Sequence, residues 1–229
     1  SIVTATGNAS TTAVTVTQEA TRAAVDFVAA TSTVAAIAGV LGVTAGAVNI
    51  LDANRASLTA AGTIATATIT NAGAATVNSG ALTALNLAGT LVTVDAGTLG
   101  ALTTATNHTL ALGLTGAVST GAVTIDSDIT TLNIVGNTTT NTINSLVASG
   151  ATTINVSGNA LVTLTANTTA AVTAITVTNT AGASFGTAIG TGVTFTGGAG
   201  VETATFGATT KAITTGAGDD VLTVNASAL

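Results

Sequence analysis

The residues with the clearest chemical potential lie near the C-terminus, where acids recur among glycines at a fixed interval. From Gly197 the sequence reads GGAGVETAT, FGATTKAIT and TGAGDDVLT, which are three consecutive segments of nine residues. Their sixth positions hold Glu202, Lys211 and Asp220. Carboxylate and carbonyl oxygens are the ligands that Ca²⁺ prefers, so glycine turns that carry an acid predict a calcium site.

The three segments fit the nonapeptide G-G-x-G-x-D-x-U-x, in which glycines permit the crowded turn and an acid supplies a hard oxygen. Two nonapeptides make one full rung, so turns that are two nonapeptides apart fall on the same edge. We therefore expect residues 197–202 to stack on residues 215–220 and the two half-sites to share one ion. The predicted metal-binding residues are Gly197, Ala199, Glu202, Thr215, Ala217 and Asp220, with Asp219 beside them.

The middle turn differs because Lys211 stands where the acid belongs. An ammonium group repels a cation, so we expect no calcium on that edge and instead expect Lys211 to donate to turn carbonyls. For the acidic turns an alternative stays open. Glycine turns alone give the same spacing without a metal, and Glu202 is longer than the aspartate of the motif.

Asp126 and Asp128 form a second carboxylate pair, in the segment TIDSD. Residues two apart on a strand share a face, which suits a metal site, whereas at a strand end the same pair caps a turn. Both interpretations remain open, and a glycosidase-like pair is less favoured. Single acids such as Asp95, and Asp52 near Arg55, are predicted to be surface cation sites or solvated charges.

Catalytic patterns are missing from the sequence. His108 is its one histidine, and no acid-base partner for it is identifiable. No phosphate-binding loop with a lysine occurs. We therefore expect a protein that is not an enzyme. A polysaccharide lyase or epimerase would need a charged groove, and this chain has too few charged residues to build one.

The elements that must position these residues are predicted from composition. Of 229 residues, 26 are glycine, 5% are charged and 2% are aromatic, and there is no Pro, Cys, Met, Trp or Tyr. The core must therefore be made of Ala, Val, Ile and Leu. Abundant β-branched residues favour strands and argue against disorder. An all-β fold with a narrow, repetitive core is expected.

Repeats make that expectation more specific. Segments that begin at Ala81, Ile129, Ala151 and Ala171 share one strand pattern. The last three follow each other at the interval of about one solenoid rung, and apolar and polar residues alternate between the segments. We predict a right-handed parallel β-solenoid (β-helix) with calcium β-roll turns near the C-terminus. Its turn or ladder residues are predicted to be Asn133, Asn155 and Asn179.

Three regions are expected along the chain: N-terminal rungs at 1–61 with a possible short helix, a main solenoid at 62–195, and β-roll rungs at 196–229. The apolar stretch 34–51 is interrupted by Thr44 and Asn49, so we expect a buried strand or short helix and not a membrane span. A net charge of −6 with three basic residues excludes nucleic acid as a partner. The opening SIVTATGNAS has no initiator Met or basic region, which indicates an internal segment of a longer protein.

Three stretches resemble the Caulobacter-type surface-layer proteins of the RTX family. They are FTGGAGVETATFGATTKAITTGAGDDVLTVNASAL, ATGNASTTAVTVTQ and GAATVNSGALTALNLAGT. The resemblance implies an extracellular protein that assembles with copies of itself into a calcium-dependent two-dimensional lattice. It further implies type I secretion and anchoring to lipopolysaccharide through a region outside this chain. An extracellular adhesin or a calcium-stiffened stalk is the alternative, since either would share the solenoid.

Overall fold

The computed structural model describes residues 2–7, 10–19, 45–52, 62–96 and 108–225. Within these ranges every regular element is a β-strand, and every strand pairing is parallel. The predicted all-β, parallel fold is therefore confirmed. The strands are β1 Val3–Gly7, β2 Ala13–Thr17, β3 Val48–Asp52, β4 Thr66–Asn78, β5 Ala84–Ala96, β6 Thr109–Ile125, β7 Thr131–Asn137, β8 Asn141–Val147, β9 Thr153–Gly158, β10 Val162–Thr168, β11 Ala174–Val177, β12 Ala183–Ile189, β13 Thr194–Thr196, β14 Glu202–Phe206, β15 Ile213–Thr214 and β16 Val221–Val224.

The sheet is strongly curled, so that the chain passes alternately along two faces. Each of the long strands β4, β5 and β6 spans both faces; the first part of β6 pairs with β7 and its last part with β8. The front face consists of β2, the first parts of β4, β5 and β6, and then β7, β9, β11, β13 and β15. The back face consists of β1, β3, the last parts of β4, β5 and β6, and then β8, β10, β12, β14 and β16.

This alternation separates the turns into two edges. Turns that leave a front-face strand for a back-face strand, such as the turn between β13 and β14, lie on what we call the front-to-back edge. Turns that return, such as the turn between β6 and β7, lie on the opposite, back-to-front edge. Residues in corresponding turns of successive rungs are therefore stacked on each other.

Rung length follows the prediction closely. Asn133 of β7 lies opposite Asn155 of β9, at a sequence separation of 22. The next rung is shorter by one residue, because Asn155 lies opposite Thr176. At the C-terminus Glu202 and Asp220 bond across one rung at a separation of 18. The length of two nonapeptides is thus confirmed as one rung. Shorter rungs have tighter turns, which explains why glycines gather there.

The core is one continuous cluster of inward-facing aliphatic side chains, as strand alternation predicts. Its C-terminal part also holds aromatic rings. Phe195 of the front face meets Phe185 and Phe206 of the back face edge to face, with ring centroids 6.0 and 5.3 Å apart. Phe206 and Phe195 are 0% and 1% exposed, respectively. These rings fix the two faces to each other, with Phe195 before the first glycine turn and Phe206 after it.

The three asparagines predicted as turn or ladder residues divide into a ladder of two and a turn residue, so that prediction is confirmed. Asn155 Nδ2 donates to Asn133 Oδ1 at 2.8 Å, between β9 and β7. Asn179 is not in that row, because the residue opposite Asn155 on the next strand is Thr176. Strand β11 ends at Val177, so Asn179 lies in the turn that follows it. There it is fully buried.

The N-terminal strands belong to the same sheet, since β1 pairs with β3 and β3 pairs with β4. Val48 and Ile50 of β3 are buried, so the described end of the apolar stretch is a buried strand, as predicted. The possible short helix and the charges of Arg22 and Arg55 lie outside the described residues. Among the residues that are described, none form a helix of the length and apolarity that a membrane span requires.

Candidate metal site

Two glycine turns stack on each other at the C-terminal end of the front-to-back edge. Residues 197–201 join β13 to β14, and residues 215–220 join β15 to β16. The Gly197 amide donates to the Thr214 carbonyl at 2.7 Å, and the Ala217 amide donates to the Gly198 carbonyl at 2.6 Å. The structure therefore brings together the two half-sites that the spacing predicts.

Glycine is required in the second of these turns. Gly216 and Gly218 have φ values of 85° and 142°, which L-residues with side chains rarely adopt. A methyl group at Gly216 would also collide with the carbonyl oxygen of Gly198. The glycines thus allow two backbones to approach so closely that their carbonyl groups lie in one small volume.

Glu202 places a carboxylate inside this volume. The side chain is 0% exposed, and neither carboxylate oxygen has a partner with good hydrogen-bond geometry, although the Gly198 amide and Asp220 lie close enough to act on its pKa. A methyl group at Gly197 would collide with both Glu202 Oε2 and the Thr215 carbonyl oxygen, so these two oxygens converge on one point. An unpaired buried carboxylate beside a carbonyl oxygen is unfavourable unless a cation or a proton joins them.

Asp220 contributes the second carboxylate, from the adjacent rung. Its Oδ1 accepts a hydrogen bond from the Glu202 amide at 2.9 Å, which holds the side chain against the first turn. Burial, and next the negative charge of Asp220, raise the pKa of Glu202 above its usual 4.5, while the nearby Gly198 amide opposes the rise in part. The pair therefore attracts positive charge. Lys211, the one Lys or Arg in the described ranges, lies on the opposite edge.

Asn179 shows how an earlier turn on this edge provides partners for its carbonyl oxygens through a side chain. Its Nδ2 donates to the Ala160 carbonyl at 2.7 Å and to the Ser157 carbonyl at 3.3 Å, and its Oδ1 accepts from the Ala181 amide at 2.8 Å. An amide side chain thus links the carbonyl oxygens of the stacked turns. At the Glu202 turn, Gly198 and Gly200 have no side chain that could do this, and the Gly198 carbonyl is bonded instead by the Ala217 amide of the next turn.

The oxygens present fit a cation that accepts carbonyl ligands. Within the described residues no three His, Cys, Asp or Glu side chains cluster, so carboxylates alone do not complete a coordination shell here. Ca²⁺ accepts six to eight oxygens, backbone carbonyls among them. Glu202, Asp220 and the Thr215 carbonyl would hold the ion, with the Gly197 backbone directly beside it. Ala199, Ala217 and Asp219 are exposed on the outer side of these turns.

The other predicted acids lie elsewhere. Asp126 and Asp128 occupy the turn between β6 and β7, on the back-to-front edge, so they belong to a different site from Glu202. Asp126 Oδ1 accepts from the Asp128 amide at 2.8 Å, and the Asp126 carbonyl accepts from the Ile129 amide at 3.2 Å. The turn-cap interpretation is thus seen in the structure, and calcium binding at this pair stays a prediction.

His108 is also a structural residue of that edge. Its Nδ1 lies 2.9 Å from the Asp128 carbonyl, and its own carbonyl accepts from the Thr130 amide at 2.9 Å. The Thr130 and Thr152 hydroxyls then continue the row, since Thr152 Oγ1 donates to the Thr130 carbonyl at 3.1 Å. The loop position predicted for His108 is confirmed, at the start of a hydroxyl ladder.

Asp52 is the acid that sequence reasoning placed wrongly. The sequence predicts a surface cation site or a solvated charge, whereas Asp52 is 1% exposed. Its Oδ2 accepts from the Thr63 amide at 2.6 Å, the Ile64 amide at 2.7 Å and the Ser79 hydroxyl at 2.9 Å. Asp52 ends a strand that alternates inward and outward, so its inward position is the signal that indicates burial. Asn179 gives a similar signal, because it lies two positions beyond the buried Val177.

The chain matches no protein-family model, and no curated protein is similar enough to be a relative. The residues of the two stacked turns, together with the sequence resemblance already described, are therefore the basis for the function proposed next.

Proposed function

We propose that this chain is a structural part of a bacterial surface layer, which assembles with copies of itself into a calcium-dependent two-dimensional lattice on the cell exterior. In this proposal the curled sheet is a right-handed solenoid, the usual hand for parallel crossovers, and its last rungs are RTX-type β-rolls. The observation that carries the proposal is the fully buried Glu202 carboxylate stacked beside Asp220.

The Glu202 and Asp220 turns support calcium as the ion. Two carboxylates from successive rungs meet where carbonyl oxygens also converge. Hard oxygen ligands of this mixed kind suit Ca²⁺, whereas Mg²⁺ demands a stricter octahedron and keeps its water. A bound ion would neutralise the two acids and join one rung to the next. Calcium would then stabilise the folded chain by mass action in an extracellular medium.

A structural role agrees with the rest of the described chain. Its polar surface is built mainly of Thr, Asn and Ser, whose side chains often bond to the backbone of the preceding rung, as Thr173 does to Thr152 and Thr194 does to Thr173. These hydroxyls stabilise the coil and are not arranged as a reactive centre. We therefore propose that the protein is not an enzyme, and that secretion by a type I system precedes calcium-dependent folding outside the cell. Anchoring to lipopolysaccharide would use a region outside this chain.

One feature favours an adhesin or stalk as the second candidate. Between the turn that follows β10 and the turn that follows β12 lies a cleft of about 620 Å³, lined by residues 167–173, Ile175 and residues 188–193. The direct pairing of β10 with β12 ends at Leu164 and Phe185, which opens this space. A ligand-binding module would use such a cleft, whereas a lattice protein has no need of one.

The test is calcium-dependent assembly of the purified chain. Light scattering and negative-stain electron microscopy should show sheets after addition of Ca²⁺, which dissolve again with EGTA, and no sheets with Mg²⁺. A folded chain that stays monomeric at every calcium concentration would contradict the lattice and leave the stalk as the better candidate.

A further inference from the structure

The front face differs from the back face in its charge. None of its nine strands carries an ionisable residue in the parts that form the face, and this holds from β2 to β15. The charged side chains on the back-face strands are Asp52, Asp95 and Glu202, of which Asp95 is half-buried on the outer surface. The whole segment 129–201 also lacks ionisable residues. Among the residues that the structure describes, this face of a chain with a net charge of −6 therefore carries no charge that would repel a second copy.

The front face is also the more regular of the two. Pairings between its strands show no register shift inside the face, from β2 and β4 through to β13 and β15. On the back face the register shifts between Leu91 and Val94, between Ser119 and Ala122, and between Phe185 and Ile189. A bulge bends a strand and interrupts its rows of side chains. The rows on the front face are therefore the ones able to interdigitate with another flat sheet.

Outward side chains of this face are short, and several are already hydrogen-bonded within it. Half-buried rows run across β7 and β9, with Thr131 beside Thr153 and Asn133 beside Asn155. The Asn155 amide bonds to Asn133. Short, fixed side chains lose little conformational entropy when they are covered, and satisfied donors need little desolvation. In steric zippers, paired sheets meet through dry, interdigitated side chains, and ladders of Asn add to their stability.

The size of the face is sufficient for a specific contact. Nine strands at about 4.8 Å spacing span about 40 Å, and about five residues per strand span about 16 Å. The resulting area, about 600 Å² per copy, is at the lower limit of specific protein interfaces. Exposed apolar residues lie instead on the back-face strands, as Leu51, Val92 and Val118 do. Scattered residues of that kind are ordinary on protein surfaces.

We infer that the front face is a self-association surface, which packs against the front face of a second copy in an isologous, two-fold contact. A charged partner would find no opposite charge there, whereas an identical neutral face matches it in both charge and spacing. This inference rests on the proposed function, because it identifies one of the contacts from which the lattice would be built. The calcium turns lie on an edge and would remain free to bind their ion.

Two lysine variants at matched positions test whether the front face is a self-association surface. Thr153→Lys places a charge on the front face, at the first residue of β9, and Thr163→Lys places the same charge on the back face, where Thr163 lies between Thr142 and Ser184. Both threonines are half-buried strand residues, and they are in adjacent strands of the chain. Circular dichroism and calcium titration check that each variant folds and binds calcium as the wild type does. Sedimentation velocity in Ca²⁺ then measures self-association.

The expected result is that Thr153→Lys weakens self-association at least about tenfold, since both copies would bring a positive charge into the contact, while Thr163→Lys associates as the wild type does. Equal association of Thr153→Lys and wild type overturns the inference and leaves the lattice proposal intact. Equal loss in both variants, or a wild type that stays monomeric, also overturns it. Wild-type dimers that Thr153→Lys abolishes, without sheets under any condition, would support the inference and contradict the lattice.

Discussion

The backbone amide of Glu202 donates to Oδ1 of Asp220 at 2.9 Å, between two successive rungs of the coil. The hydrogen bond places the two carboxylates in one crowded volume, where Glu202 is 0% exposed. Such an arrangement opposes folding when both acids are ionised and favours it when positive charge is added. The last rungs of the coil should therefore respond to both calcium and protons.

The pH response without calcium follows from the pKa of Glu202. Burial and Asp220 raise that pKa in the folded chain above the usual 4.5, so the folded state holds a proton that the unfolded state releases. Proton binding then stabilises the fold, fully below pH 4.5, and this stabilisation is lost as the pH rises through the raised value. We expect the melting temperature of the calcium-free chain to fall over that interval relative to Glu202→Gln, which has no proton to lose. Parallel melting curves for the two proteins would contradict the assignment.

The Gly216 position should tolerate no side chain. Its φ of 85° and the adjacent Gly198 carbonyl oppose any Cβ, so Gly216→Ala should destabilise the last rung by about 1 to 3 kcal/mol. Gly192→Ala is the matched control, because a Cβ there has no heavy atom within 4 Å. Hydrogen exchange of the β14 and β16 amides measures the effect locally. Equal protection in both variants would show that the turn is not tightly constrained.

The hydrogen bond between the asparagines makes a smaller contribution. Asn155→Ala removes the donor to Asn133 Oδ1 and should lower the free energy of unfolding by about 1 kcal/mol, as for a typical internal hydrogen bond. Urea denaturation of Asn155→Ala, Asn133→Ala and the double variant isolates the coupling between the two residues. Additive effects would mean that the ladder adds nothing beyond each residue's own contacts.

The buried aromatic rings should contribute more to the free energy of unfolding than any single surface contact does. Phe195→Ala removes a ring that is 1% exposed and touches both Phe185 and Phe206. A buried cavity of this kind costs about 3 to 5 kcal/mol. Val92→Ala is the control, since Val92 is 45% exposed and its truncation should change stability by less than about 0.5 kcal/mol. Similar unfolding midpoints for both variants would contradict the central place of these rings in the core.

Much of the fold is predictable from the sequence because rung and strand periodicity are directly visible in it. Alternating Val, Ile and Leu identify the inward positions of β7 and β9, and the recurring Asn133 and Asn155 identify the register. The position of Asn179 was harder to predict. It stands at the end of its repeat, where Asn133 and Asn155 stand in the middle of theirs, and the shared pattern does not show that the strand has already ended at Val177.

The sequence predicts which turns of the candidate site stack on each other, but it does not predict that the Glu202 carboxylate is buried. Nonapeptide spacing places residues 197–202 beside residues 215–220, which the structure confirms. The burial of Glu202 depends on the inward direction of the first residue of β14, and the burial of Asp52 depends on the last residue of β3. Acids at strand ends are usually solvated, so alternation along the strand is the signal that indicates an inward position for both, and the structure shows that both are buried.

Calcium titration by isothermal calorimetry tests the central claim most directly, with wild type compared with the Glu202→Gln/Asp220→Asn double variant. These changes keep the size of both side chains and remove both charges, so the double variant should fold without calcium, which circular dichroism verifies. The double variant should bind at least one ion fewer per chain than wild type and should lose calcium-induced thermal stabilisation of about 2.7 kcal/mol at a hundredfold excess over the dissociation constant. Identical stoichiometry, affinity and stabilisation in the two proteins would contradict a calcium site between Glu202 and Asp220.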